Sequence, residues 1–93
     1  MNVFIGIGTI VDVDMSGKAL KFNLSLQQDR PCVIPCLIFD PNDEIKELLA
    51  QSEATVQTVW LQGRIISNEY EFNGKTVRKI SVMTYPSNIR PIE

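Results

Sequence analysis

The chain has no histidine and only two cysteines, so the usual acid–base catalyst is absent and a structural zinc site lacks its ligands. Cys32 and Cys36 lie four apart in a run that reads as extended. At a rise of ~3.3 Å per residue their Cα atoms stand about 13 Å apart, beyond disulfide reach, so both are expected as free thiols. Long apolar runs are missing too. None approaches the ~20 residues of a membrane-spanning helix, and no basic segment followed by an apolar run opens the chain. A soluble intracellular protein is the expectation. Nor is positive charge in excess: nine Lys and Arg face eleven Asp and Glu, a net charge of -2. The pI of about 5.0 argues against a strongly basic, nonspecific nucleic-acid binder, which would usually sit above ~9. Asp12 and Asp14 are close together, but the sequence supplies no partners for a catalytic pair. Gly6 and Gly8 are not followed by a helix, so they cannot cradle a phosphate as a nucleotide loop does. No enzyme, metal, cofactor or small-molecule substrate is expected.

What is present is a core and a ribbon. With 44% apolar residues, a chain of 93 residues suits one packed domain spanning 1–93. Thr55 to Tyr85 reads as two β-rich runs around Asn73-Gly74-Lys75. Asn-Gly is the strongest short hairpin signal, because a type I′ turn needs positive φ at both central residues. The charges are segregated: Asp43, Glu44, Glu47 and Glu53 share a central segment, whereas Arg64, Lys75, Arg78 and Lys79 lie on the hairpin with Tyr70 and Phe72 near its tip. Net charge therefore understates the local field.

Asn2 to Asp14 reads as a long bent first strand, with Val3, Ile5, Ile7, Val11 and Val13 on one face and Phe4 and Ile10 on the other. Gly6 and Gly8 mark a bulge, bend or close backbone approach in it. In the second strand Leu20, Phe22, Leu24 and Leu26 alternate with Lys21, Asn23, Ser25 and Gln27, a half-buried pattern. The third runs from Cys32 to Asp40 with an open edge or bulge at Pro35 and apolar residues on both faces, one of which must meet something besides solvent. Pro41-Asn42-Asp43 opens a short helix capped by Asn42 or Asp43, with Ile45, Leu48 and Leu49 on its docking side. Strands from about Val56 to Asn68 and about Lys75 to Tyr85 follow, and Pro86 and Pro91 argue against continuing the last one.

Three strands, a helix and two strands is the order of the OB-fold, an all-β, five-stranded Greek-key barrel with one short helix between strands three and four. Particular residues sharpen this. Asn2-Val3-Phe4-Ile5-Gly6-Ile7-Gly8, Leu20 to Ser25, Cys36-Leu37-Ile38-Phe39-Asp40, Val59-Trp60-Leu61-Gln62-Gly63-Arg64-Ile65, the Asn-Gly-Lys turn and Ile80-Ser81-Val82 together resemble the bacterial-type single-stranded DNA-binding protein family over nearly the whole chain. The chain also resembles the short members of that family found in cyanobacteria and plastids. The resemblance implies sequence-tolerant binding of single-stranded DNA, or of RNA, in replication, repair or recombination. It also implies a homodimer or homotetramer, in a nucleoid-bearing cytoplasm or a plastid stroma.

By position, Phe39 and Tyr70 match two of the family's base-stacking aromatics. Val33 stands where the family often has a Trp, and Arg30 falls near another. Stacking is worth ~1–3 kcal/mol per base, so two lost platforms imply binding weaker by several orders of magnitude. The family's acidic C-terminal tail has no counterpart after Arg90-Pro91-Ile92-Glu93, as in a short form or a domain cut from a longer protein. The expected nucleic-acid contacts are Phe39, Tyr70 and Phe72 for bases and Arg64, Lys75, Arg78, Lys79, Arg30 and Lys21 for phosphates. A solvated hairpin face, with Arg78 or Lys79 paired to Glu69 or Glu71, is the plainer reading of the same charges. Val3, Ile5 and Trp60 are expected at a subunit interface. The rival function is an OB domain that binds protein and little or no nucleic acid, suggested by the acidic pI and the Val33, Pro35, Leu37, Phe39 face.

Overall fold

The computed structural model describes residues 1–26 and 28–92; Gln27, Glu93 and the Glu53 side chain lie outside the described residues. In chain order the elements are β1 (Phe4–Asp14), β2 (Leu20–Leu26), β3 (Cys32–Ile38), α1 (Asp43–Ala54), β4 (Thr58–Phe72) and β5 (Lys75–Thr84). A 3-10 turn at Pro86–Asn88 leads into a short β6 (Ile89–Pro91). The strands pair in the order β1-β2-β3-β5-β4, and a further β1–β4 pairing closes five of them into a ring. All pairings are antiparallel except β3 with β5.

Alternation dictates what fills the ring. Leu20, Phe22 and Leu24 of β2 meet Ile38, Cys36 and Ile34 of β3 in register, and Val59 and Leu61 of β4 project from the same inner surface. With Ile10, Val82 and Ile89 they form the buried core, against which the half-buried Ile34 packs and which Ile45 and Leu49 of α1 cover at one end. The helix begins where Asn42 accepts a hydrogen bond from the Ile45 N–H at 2.9 Å, and Asp43 and Glu44 occupy its first turn. That arrangement satisfies one orphan donor and sets two carboxylates against the positive end of the dipole. Burial pushes the Cys36 thiol up to about 12, so it stays protonated at neutral pH as a small apolar filler, and Cys32 is free as expected.

Two features depart from the expected pattern. The first is the fate of Val13, which packs against the core instead of sharing a face with Ile5 and Ile7. Between Val11, opposite Asn23, and Asp14, opposite Lys21, β1 spends two residues against the single Phe22, and Asp12 adopts φ 53. One extra residue reverses the alternation beyond it. It also splits the Asp12–Asp14 pair, for Asp12 accepts from Asn23 at 3.0 Å while Asp14 accepts from Ser16. The second is β6, which pairs Ile89, Arg90 and Pro91 with Leu61, Trp60 and Val59 of β4. β5 does stop before Pro86, yet after the 3-10 turn the chain rejoins the same edge.

Three local expectations hold, while β3 stops at Ile38, short of the expected Asp40. β5 joins β3 only from Cys36 onward, leaving the open edge expected at Pro35. The close approach expected in β1 is found at Gly8, where a Cβ would meet the Ser25 backbone carbonyl. Asn73 and Gly74 have φ of 53 and 75, so β4 and β5 turn back over two residues and pair continuously from Arg64–Met83 to Phe72–Lys75. β4 therefore runs past the expected Asn68 to Phe72, and the hairpin projects beyond the barrel.

Candidate nucleic-acid interface

On β4, even-numbered residues face away from the core, because Val59 and Leu61 are fully buried. The register then assigns every neighbouring side chain to one of two surfaces. Asn68 lies opposite Lys79 and Tyr70 opposite Val77 on the outward face, whereas Glu69 lies opposite Arg78 on the reverse. On β2 and β3 the outward positions are Lys21 opposite Leu37, Asn23 opposite Pro35 and Ser25 opposite Val33.

These outward positions meet in a groove of about 260 Å³ between the hairpin and β2–β3. Lys21 and Lys79 supply two cations to its walls, Tyr70 an aromatic ring, Leu37 and Pro35 apolar surface and Asn23 an amide. Asp12 also lines it, and its carboxylate is held by Asn23. Tyr70 is about half exposed at 49% and Phe72 lies further toward the tip at 63%, with Lys75 opposite Phe72 in register. The arrangement offers what a single strand needs: a flat ring for a base and cations for the backbone beside it.

The remaining expected contacts separate. Arg64 lies on the same outward face but lines a second groove, toward the barrel end of β4. Phe39 is exposed just past β3, its N–H bonded to the Thr84 carbonyl. Arg30 is exposed in the bend after β2 and lines neither groove. Arg78 is turned to the reverse face and donates to Glu69 at 2.7 Å, which is the cross-strand pairing of the plainer reading. Successive strand residues point to opposite faces, so Arg78 and Lys79 cannot line one groove.

A second surface lies where β1, β4 and β6 run side by side. Ile5 faces Gln62 and Ile7 faces Trp60 across the β1–β4 ladder, outside the barrel, and Ile5 and Ile7 are 58% and 56% exposed. The Arg90 guanidinium sits 5.9 Å from the centre of the Trp60 ring, over which it covers part of the indole. At the start of β1, Asn2 donates to the Ile65 carbonyl at 2.7 Å and accepts from the Ile65 N–H at 2.9 Å, so its side chain stands in for one more rung of the ladder. Among the described residues no cluster of His, Cys, Asp or Glu could hold a metal ion, and no helix is long and apolar enough to cross a membrane.

No family model matches the chain, and no curated protein matches it in sequence. Solved structures do. The SSB of Plasmodium falciparum in complex with ssDNA is 14% identical, with a TM-score of 0.69 over 99% of this chain and 93% of that one. The mitochondrial single-stranded DNA binding protein Rim1 of S. cerevisiae is 14% identical, with a TM-score of 0.74 over 99% of this chain and 95% of that one. At such identities the likeness speaks to architecture, and the closed ring with its helix between the third and fourth strands is an OB-fold barrel of the same build as these two proteins.

Proposed function

We propose that the chain is a single OB domain that binds single-stranded DNA without strong sequence selection. The observation that carries this is the groove in which Tyr70, Lys21 and Lys79 converge from three strands. One exposed aromatic and two cations on a surface otherwise free of carboxylates except Asp12 suit a base and its flanking phosphates. The acidic residues of α1 stand on a different element, so the pI of about 5.0 does not describe the field at the groove. A role in replication, repair or recombination, and a place beside the nucleoid of a cytoplasm or plastid stroma, follow from this reading. Kinship with the short cyanobacterial and plastid proteins rests on the sequence motifs alone.

Fluorescence anisotropy of labelled oligo-dT, titrated with protein at low and high salt, tests the reading. Binding in the micromolar range or tighter is expected at low salt, weakening steeply as salt rises because bound phosphates release counterions. No anisotropy change at micromolar protein and low salt would sink it. That result would favour a protein partner for the same face, where Val33 and Phe39 are 51% and 38% exposed.

Self-association runs through Val3, Ile5 and Trp60, with Ile7 beside them. These residues put a contiguous apolar surface beside a strand whose partnership with β2 begins, among the described residues, only at Thr9. A second copy could pair with β1 along Phe4–Gly8 and cover the isoleucines. Light scattering should give a dimer or larger, and Ile5→Glu with Ile7→Glu should give a folded monomer. A wild-type monomer at high concentration would refute the interface.

A further inference from the structure

Tyr85 lies just past β5, outside the set that residue patterning selects, yet the backbone keeps it on the outward face. Its φ of -118 and ψ of 158 are extended, so the alternation of β5 carries through it, and Thr84 before it is buried. β3 and β5 run parallel with Ile38 beside Thr84, and the Phe39 N–H donates to the Thr84 carbonyl at 3.1 Å. Phe39 and Tyr85 are thus the next neighbours in register, 38% and 44% exposed. Tyr85 also lines a groove of about 300 Å³ with Arg64, Gln62, Asn2 and Asn88. Neither ring belongs to the core or to the partly buried residues packed against it.

We infer that Tyr85, flanked by Phe39 and Arg64, is a second base-stacking station for the strand that the proposed function places in the Tyr70–Lys79 groove; the inference rests on that reading. A guanidinium beside an aromatic ring can hold a phosphate bidentately or stack on a base, and the amides of Asn2, Gln62 and Asn88 offer further polar contacts. The two stations are joined along β5, whose outward residues Lys79, Ser81, Met83 and Tyr85 follow at two-residue steps. From Lys79 to Tyr85 is ~20 Å of extended chain. At ~3.4 Å per stacked nucleotide that span holds roughly six, within the ~4–16 covered by single OB domains.

Labelled oligo-dT of about 4 and about 16 nucleotides, one shorter and one longer than the roughly six that separate the stations, makes the test. Wild-type protein should bind the longer strand several-fold more tightly than the shorter. Tyr85→Ala and Tyr85→Leu should each weaken the longer strand at least about fivefold and flatten the dependence on length, whereas Tyr85→Phe, which keeps the ring, should stay within about twofold of wild type. Melting temperatures, expected to be unchanged for an exposed side chain, certify the fold of each variant. If wild type binds and Tyr85→Ala binds each length as tightly as wild type does, the second station is wrong and the Tyr70–Lys79 groove stands. Equal losses at both lengths, or a loss in Tyr85→Phe as large as in Tyr85→Ala, also overturn it. Wild-type protein with no affinity for either strand overturns both readings together.

Discussion

Gly63→Ala should melt at least about 12 °C below the wild-type protein. Gly63 lies in β4 where β5 crosses closest, and a Cβ there would run into the Met83 backbone carbonyl and stand 2.8 Å from Val82 Cγ1. Neither obstacle is the loose end of a flexible side chain. Relief would require β4 and β5 to part at the point where Thr84 Oγ1 donates to the Gln62 carbonyl at 2.7 Å and Val82 enters the core. Overpacking costs ~1–3 kcal/mol in ordinary cores, and a clash with backbone belongs at about 3. For a chain of this size each kcal/mol moves the melting temperature by ~4–8 °C. Gly17→Ala is the control, because a Cβ there has only the Ala19 carbonyl nearby, at 3.6 Å. Thermal unfolding by circular dichroism distinguishes the two, and equal melting temperatures would show that the barrel can widen at this crossing at no cost.

Tyr70→Ala combined with Lys79→Ala should weaken oligo-dT binding about a hundredfold. The ring and the cation line one groove from adjacent strands, so the double change removes a base platform and a phosphate contact from the same stretch of ligand. Stacking contributes ~1–3 kcal/mol, and a hundredfold corresponds to ~2.7 kcal/mol, which leaves about 1 kcal/mol for the lysine. Losing one phosphate contact should also make the plot of log affinity against log salt shallower by about 0.7. Arg78→Ala removes one positive charge too, from the reverse face, where the guanidinium is already engaged by Glu69. It should leave affinity within about twofold and the salt slope nearly unchanged. If Arg78→Ala and the double variant weaken binding alike, the strand does not distinguish the two faces and the groove is misplaced.

The fold was legible wherever a residue type leaves the backbone little choice. Asn73-Gly74 announced a two-residue turn because both positions tolerate positive φ, and Leu20, Phe22 and Leu24 announced their inner face by strict alternation. The bulge at Asp12 was not legible: nothing in Val11-Asp12-Val13 marks which residue will be skipped, and the partner Phe22 that decides it is far along the chain. β6 was hidden by its three-residue length and by Pro91, which suits an edge that needs no further donor. The site was legible as a composition and not as a surface. Charge alone groups Arg78 with Lys79 although the two-residue period separates them, and the proline after Tyr85 marks a strand end where the row Lys79, Ser81, Met83 continues.

The hairpin and the ring it grows from differ in how firmly they are held. From Phe4 to Leu61 and Val82 the strands enclose a filled core and have partners that lock them on that core. From Ser67 outward, β4 and β5 have only each other, no buried residue of either lies beyond Ser81, and an isolated two-stranded ribbon is barely stable in water. Local opening should therefore be easiest in the arm, and its amides should exchange with solvent long before those of Leu24 or Val59. A strand laid across Tyr70 would find an arm that can still adjust its twist, and fixing that twist costs conformational entropy that the barrel does not lose.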